Sequence, residues 1–354
     1  MSNTDSLKMT AVPSVDNPPS KKKVPLGGPR DFLRGALGPK HKWWKVLLSG
    51  LIGIPLYYSF LFFGIRIILS LLGEEGQRLR EFVTSGGNPM DKPMAVAVQL
   101  LPSALAILIF MIVLPLVGGR KFGALSSIKG RLRWDLVAQA LLVAIPVMCS
   151  LILLQLIFVG PVDLRPYVLQ ILITLALIPF QAAAEEYLFR GWFVQALGVC
   201  RVPVVIVLLV SSIVFALAHT NYGVIGLLSV ASMGLSCVWL TMRTGGLEGA
   251  IVGHAVFNIV AGINSFFSGG NPGSDAGRSW DGVVVTGTVF LLYTIIADIW
   301  LRRAIIKREG REVMVGALGG PIGTFGEDPA PAPAIEQAPA GAPQGLKPQV
   351  QYSA

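Results

Sequence analysis

Gln181-Ala182-Ala183-Ala184-Glu185-Glu186-Tyr187-Leu188-Phe189-Arg190-Gly191-Trp192 is the stretch that decides how this chain is read. Its two adjacent carboxylates follow 19 residues, 166–184, that contain no Asp, Glu, Lys or Arg. A stretch of that length and polarity predicts a transmembrane helix. Carboxylates at the mouth of such a helix are costly to desolvate, so each needs a partner or a chemical task. On a helix Glu186 and Arg190 are i, i+4 with the acid first, the better order for an ion pair. Glu185 lies about 100° round the helix and has no such partner. The spacing therefore predicts Glu186–Arg190 as the pair that holds the helix mouth, and Glu185 as the free carboxylate. The plainer alternative places both in headgroups or water, as markers of the end of a span.

The rest of the chain extends the same theme. It is 53% hydrophobic and only 14% charged over 354 residues, too apolar for an ordinary soluble domain. The apolar residues fall in blocks at 46–70, 94–117, 135–159, 166–190, 202–219, 222–242, 248–267 and 282–301. These predict an all-α integral membrane protein of about eight transmembrane helices. No small-residue cleavage site follows the first block, so it reads as a retained span rather than a signal peptide.

The net charge is +9, but the basic residues cluster beside spans, as orientation in a membrane requires. No basic run is interleaved with aromatics, so nucleic acid is not expected as a partner. Lys21, Lys22, Lys23, Arg30, Arg34, Lys40, Lys42 and Lys45 precede the first span. Arg120, Lys121, Lys129, Arg131 and Arg133 follow the second, and Arg302, Arg303, Lys307, Arg308 and Arg311 follow the last. With eight spans these clusters share one side and place both termini in the cytoplasm; an odd count would break the pattern. Trp43 and Trp44 suit an interface, as does His41, and Arg66 suits a side chain snorkelling to the far one.

Organisation follows from these features. Residues 1–42 read as a disordered basic cytoplasmic tail, 43–160 as N-terminal transmembrane helices, and 282–303 as the last transmembrane helix. Residues 304–354 read as a disordered Pro/Ala-rich cytoplasmic tail. The style of the tails points to the plasma membrane of a bacterium. Cys149, Cys200 and Cys237 form no disulfide framework and no CxxC motif, so small buried hydrophobes is their expected role.

Inside the membrane the polar groups are few. Between 202 and 242 there is no Asp, Glu, Lys or Arg, and the group that titrates near neutral pH is His219, in Phe215-Ala216-Leu217-Ala218-His219-Thr220-Asn221. His254-Ala255-Val256-Phe257-Asn258 puts a second histidine and an Asn at i, i+4 on one helix face, with Ala250 and Ala261 flanking them. If the helix of Glu185 runs on to about Gly198 and the next begins near Pro203, a hairpin brings His219 level with residue 182. At 1.5 Å per residue the axial offset from Glu185 is about 4–5 Å. His254 lies at a comparable depth from the turn at 243–247. Glu185, His219, His254 and Asn258 can then face one wet cavity open to the cytoplasm. Taken singly, each histidine can instead bond a backbone carbonyl and the Asn can serve as helix–helix glue. Four polar groups able to converge are harder to explain as separate accidents.

There is no Gly-x-Ser-x-Gly elbow and no Cys close to a His in sequence, so a covalent nucleophile is not supported, and there is no HExxH. A Glu and a His sharing a water suit general-base activation of that water. A second His with an Asn suits stabilisation of an oxyanion. Glu185, His219 and His254 could instead hold a zinc ion with an open position. The metal-free version, with no cofactor, is preferred because the Asn is better explained as a donor than as a zinc ligand.

Glu185-Glu186-x-x-x-Arg190, Phe215-x-x-x-His219 and His254-x-x-x-Asn258, in that order on apolar helices, resemble the three motifs of the CPBP family. That family includes the type II CAAX prenyl endopeptidases and the Abi proteins. The resemblance covers about 165–265, the expected four-helix catalytic core, and includes the approach Thr244-Gly245-Gly246-Leu247-Glu248-Gly249. It implies an intramembrane endopeptidase of glutamate type acting on membrane-associated, prenylated or bacteriocin-like, peptides or proteins. Glu185 and His219 would activate water, His254 and Asn258 would stabilise the oxyanion, and Glu186 and Arg190 would support the site. A non-catalytic scaffold or immunity protein of the same fold is the alternative. A proton-coupled transporter is a third reading, though paired discontinuous helices in two similar halves are not evident.

Overall fold

A computed structural model describes residues 32–33, 42–87, 91–158, 160–161, 163–219, 222–268 and 280–309. The tails expected at 1–42 and 304–354 lie largely outside the described residues, as do His41, Thr220 and Asn221. The helices are α1 Trp43–Leu71, α2 Gly73–Thr84, α3 Pro93–Gly118, α4 Trp134–Phe158, α5 Arg165–Val199, α6 Val204–Leu217, α7 Val224–Thr244, α8 Glu248–Ser268 and α9 Trp280–Glu309. Among the described residues there is no strand, only one bridge, Ser127 to Gly246.

Six helices, α1, α3, α4, α5, α7 and α9, are long and apolar enough to cross a membrane, so the chain is an all-α integral membrane protein. All eight apolar blocks are helical. Among the described residues the count of spans by length and composition is nevertheless six: α6 has only 14 residues, and α8, which carries Glu248, His254 and Asn258, is not among the six. Helix α2 has no counterpart among the expected spans. Its charged, exposed sequence carries no membrane signal, and it folds back on α1 at Gly73, whose φ of +57° suits a residue without Cβ.

Four helices form the core around the polar groups: α5 packs on α8, α8 on α7 and α7 on α6. Helix α4 backs α8, α9 backs α7 and α4, and α3 backs α5. Helix α1 is keyed to α5 by Trp192, whose indole N–H donates to the Val46 carbonyl at 3.0 Å and lies 3.1 Å from the Ser49 hydroxyl. Gly50 is required there, since a Cβ would come within 1.7 Å of the Trp192 ring. The lipid-facing exteriors of α4, α6 and α9 expose large apolar side chains such as Leu142, Leu209 and Leu291, as a bilayer requires. Trp43 and Trp44 are exposed at the start of α1, and Arg66 lies with its guanidinium 4.2 Å from the Phe62 ring centre. Of the cysteines only Cys237 is buried; Cys200 is exposed in the turn after α5, which corrects the expectation for it.

The connection 119–133 is not a simple basic loop. It folds under the α7–α8 turn, with Ile128 N–H donating to the Gly245 carbonyl and Leu247 N–H to the Ser126 carbonyl, both at 2.9 Å. Arg120 is buried and donates to Gln195 at 2.8 Å. Burial pulls its guanidinium down to about 10, which leaves it charged at neutral pH. Arg133 is held by Glu248 through three hydrogen bonds, from its backbone N–H at 2.8 Å, Nε at 2.8 Å and Nη2 at 2.6 Å, while Nη1 donates to the Thr244 carbonyl at 3.0 Å. Both side chains are buried. Removing one partner leaves a buried charge unpaired, which costs about 3–5 kcal/mol, whereas replacing both with apolar groups is much milder. Thermal unfolding in detergent is therefore expected to show Arg133→Met far less stable than wild type, and Arg133→Met with Glu248→Leu largely restored.

Candidate active site

The site is built on the middle of α5. That helix runs without a break from Arg165 to Val199, as the hairpin argument required, and α6 begins immediately after Pro203. Between them Arg201 takes the left-handed conformation, φ +57°, and Val202 N–H closes the helix end on the Leu197 carbonyl at 3.1 Å. Within α5 the segment Tyr187–Phe193 winds as a π-helix, a local widening that recurs at functional sites.

Glu186 and Arg190 meet as their spacing predicted: Arg190 Nη1 donates to Glu186 Oε1 at 2.8 Å, and both side chains are fully buried. Arg190 also donates to the Gly234 carbonyl on α7 at 3.3 Å and lies 4.0 Å above the centre of the Phe215 ring. A side chain at position 234 would crowd this guanidinium, since its Cβ would be 3.4 Å from Arg190 Nη2 and 3.2 Å from Ser212 Cα. Phe215 in turn packs edge-on against Phe189, His219 and His254. Glu186 Oε1 accepts a second hydrogen bond, from His254 Nδ1 at 2.8 Å.

Glu185 points into the space between the two histidines. Its Oε2 lies 3.9 Å from His219 Nε2 and 3.7 Å from His254 Nε2. The tautomers follow from the other ring nitrogens. His219 Nδ1 is 2.8 Å from the Phe215 carbonyl, which can only accept, so Nδ1 carries the proton. His254 Nδ1 donates likewise to Glu186. Each ring in its neutral form then presents a bare Nε2 toward Glu185. Three acceptors face one another, and among the described residues no group donates a hydrogen bond to Glu185 Oε2.

Asn258 is one turn beyond His254 and its Nδ2 donates to Gln181 Oε1 at 3.4 Å. Gln181 Nε2 donates to Glu185 Oε1. Glu185 is therefore not the free carboxylate expected from the Glu186–Arg190 pairing: one oxygen is bonded and the other is not. Gln181 was missed, although it sits at i−4 from Glu185, the same spacing that found Arg190. Tyr222, in the turn after α6, is also at the site. Its ring is 6.0 Å from that of His219, and burial first, then the Glu185 charge, push its phenol up. Ser126 and the Tyr187 hydroxyl are 2.7 Å apart, which joins the 119–133 connection to the residue after Glu186.

The donor set Glu185, His219 and His254 has the right chemistry for zinc, with Nε2 free on both rings and Nδ1 held by outer partners. Its spacing is wide for it. Ligands about 2.0–2.1 Å from a tetrahedral ion stand roughly 3.3 Å apart, against 3.7 and 3.9 Å here. Among the described residues no group of three or more His, Cys, Asp or Glu side chains is placed to hold a metal ion.

Glu185, His219, His254 and Asn258 are thus gathered among the helices of an all-α membrane protein. Residues 167–260 match the sequence model of the Rce1-like family, described as type II CAAX prenyl endopeptidase Rce1-like. The match covers about a quarter of the chain, and it makes this core similar to the type II CAAX prenyl endopeptidases. The match spans α5 to the middle of α8 and contains every polar group of the site. No curated protein and no solved structure matches the chain.

The Arg190 guanidinium is the counter-charge of a fully buried carboxylate. Arg190→Leu is expected to lower stability by about 3–5 kcal/mol, measured by thermal unfolding in detergent. Arg190→Lys is expected to recover only part of that loss, because a single ammonium cannot both reach Gly234 and lie flat on Phe215.

Proposed function

We propose that this chain is an intramembrane endopeptidase that hydrolyses a peptide bond of a membrane-associated substrate by attack of an activated water. The observation that carries this is Glu185 Oε2, an acceptor with no donor among the described residues, set 3.7 and 3.9 Å from two histidine nitrogens. A water about 2.8 Å from both an oxygen and a nitrogen so spaced donates to each with roughly a right angle between the bonds. Its lone pairs are then left to attack a carbonyl carbon.

In that step Glu185 takes the proton of the water and His219 orients it. Asn258 uses one of its two amide hydrogens on Gln181, which leaves the other for the oxyanion. His254 joins that stabilisation only when Nε2 is protonated as well, because Nδ1–H is committed to Glu186. A natural source of the proton is the one that Glu185 has just taken, passed to Nε2 as the tetrahedral intermediate forms and handed on to the amide nitrogen as the C–N bond breaks and the carbonyl re-forms as the carboxylic acid product. Glu186 and Arg190 hold the ring for that transfer. No step in this scheme is routed through a metal.

The family's substrates and the depth of the site favour a substrate anchored in the bilayer, prenylated or otherwise lipid-associated, approached from the cytoplasmic side where the basic clusters lie. A scaffold of the same fold is the competing reading, and proton-coupled transport a further one.

The test is cleavage of a peptide library that includes prenylated C-terminal peptides, using purified protein in liposomes. Glu185→Gln and His219→Ala are each expected to lower the rate by about 100-fold or more while remaining folded. A chelator is expected to leave wild type active. Loss of cleavage with chelator and recovery with zinc would move Glu185, His219 and His254 into a ligand role. Unchanged cleavage in Glu185→Gln would remove the carboxylate from the mechanism.

A further inference from the structure

Glu185 has two oxygens, and a base needs one of them free and aimed. Oε1 accepts from Gln181 Nε2, while Oε2 is left between the histidines. The amide orientations follow from this contact. A carboxylate only accepts, so Gln181 must turn its nitrogen to Glu185 and its oxygen away. That oxygen meets Asn258 Nδ2 at 3.4 Å, which fixes Asn258 as the donor and sets the sense of its amide. One glutamine thus links a carboxylate on α5 to an amide on α8, across 77 positions of sequence.

We infer that Gln181 is a positioning residue of the proposed reaction, which selects Glu185 Oε2 as the base and orients the Asn258 amide toward the oxyanion. The inference rests on the endopeptidase reading. The surroundings support a role beyond packing. Ile178 and Ala182, which flank Gln181 on α5, form an apolar cluster with Ala255, with Leu100 and Ile259 against it. A methionine would suit those neighbours, so the amide is present for its hydrogen bonds rather than for its volume. Gln181 acts through Glu185 and Asn258 and does not itself touch the reacting atoms.

The consequence is a specific kinetic signature. With its partner removed, Glu185 rotates freely and either oxygen can face the histidines. Ground-state binding of the substrate is unaffected, because the orientation matters only as charge develops. Loss of an outer partner of this kind costs about tenfold to a hundredfold.

The experiment uses the full chain in liposomes with the peptide that wild type cleaves best. Gln181→Met, which keeps the volume, and Gln181→Glu, which keeps the shape but presents an acceptor, are compared with wild type. Both are expected to lower kcat about tenfold to a hundredfold with KM within about twofold. In parallel, difference infrared spectroscopy follows the Glu185 carboxylate band, identified by its disappearance in Glu185→Gln. That band is expected to shift in both variants. If either folded variant keeps wild-type kcat, or its Glu185 band does not move, the inference is overturned. The infrared arm decides even if wild type cleaves nothing, an outcome that would sink the endopeptidase reading and leave the hydrogen bond itself to be judged by the band. A rise in KM with kcat unchanged would make Gln181 a substrate contact instead and would also overturn the assignment.

Discussion

Glu186 Oε1 accepts two hydrogen bonds, one from Arg190 on its own helix and one from His254 on α8. Everything at the site is arranged around that oxygen. A carboxylate with no exposed surface is tolerable in a membrane protein only when its charge is met; here both hydrogen bonds fall on Oε1, and Oε2 has no donor among the described residues. Arg190 meets the charge, and the cost of burying Arg190 is offset by the Gly234 carbonyl and the face of Phe215. His254 uses the second lone pair and is thereby fixed in tautomer and orientation. The neighbouring Glu185 also has one bonded oxygen and one, Oε2, without a donor among the described residues, as does Glu186; what sets Glu185 apart is that its Oε2 lies 3.9 and 3.7 Å from the Nε2 atoms of His219 and His254. Adjacent residues of the same type thus take opposite roles because a 100° step on a helix puts them in different surroundings.

Much of this was legible in the sequence, and the legible parts share a property. The Glu186–Arg190 pair, the i, i+4 face of His254 and Asn258, and the α5–α6 hairpin all depend on local periodicity or on a turn a few residues long. Those are rules that a helix imposes on any sequence. The parts that were not legible depend on pairings between distant segments. Arg133 and Glu248 are 115 residues apart, and no local pattern ties them. Read from sequence, Arg133 is one more basic residue in an orienting cluster; in the structure it is spent on a buried carboxylate. Gln181 is a different case. It stands at a diagnostic spacing from Glu185, yet a neutral residue inside an apolar run carries no cost that demands explanation, so charge-based reasoning passed over it. The two-oxygen character of Glu185 was missed for the same reason.

The elements outside the family match are not spectators. The 119–133 connection reaches Tyr187 through Ser126 and braces the α7–α8 turn through Arg133, Ile128 and Leu247. Helix α1 seats Trp192 against Val46, Ser49 and Gly50. The Ser126 and α1 contacts fall on the π-helical segment Tyr187–Phe193, where the backbone departs from the α-helical ladder. The widened turn that presents Arg190 is therefore stabilised from outside the segment that carries the motifs.

Helix α6 contains 14 residues, which rise about 21 Å. The hydrocarbon interior of an ordinary bilayer is about 30 Å thick. Its outer face nevertheless exposes Val205, Leu209, Ile213 and Leu217 to lipid, so the surrounding acyl chains must shorten, tilt or admit headgroups where this helix stops. It stops two residues before His219. A bilayer crossed by α6 would have to thin next to that histidine, and membrane thickness would then become a physical variable of the site: a thin bilayer would relieve the mismatch, and a thick one would press lipid against the end of the helix.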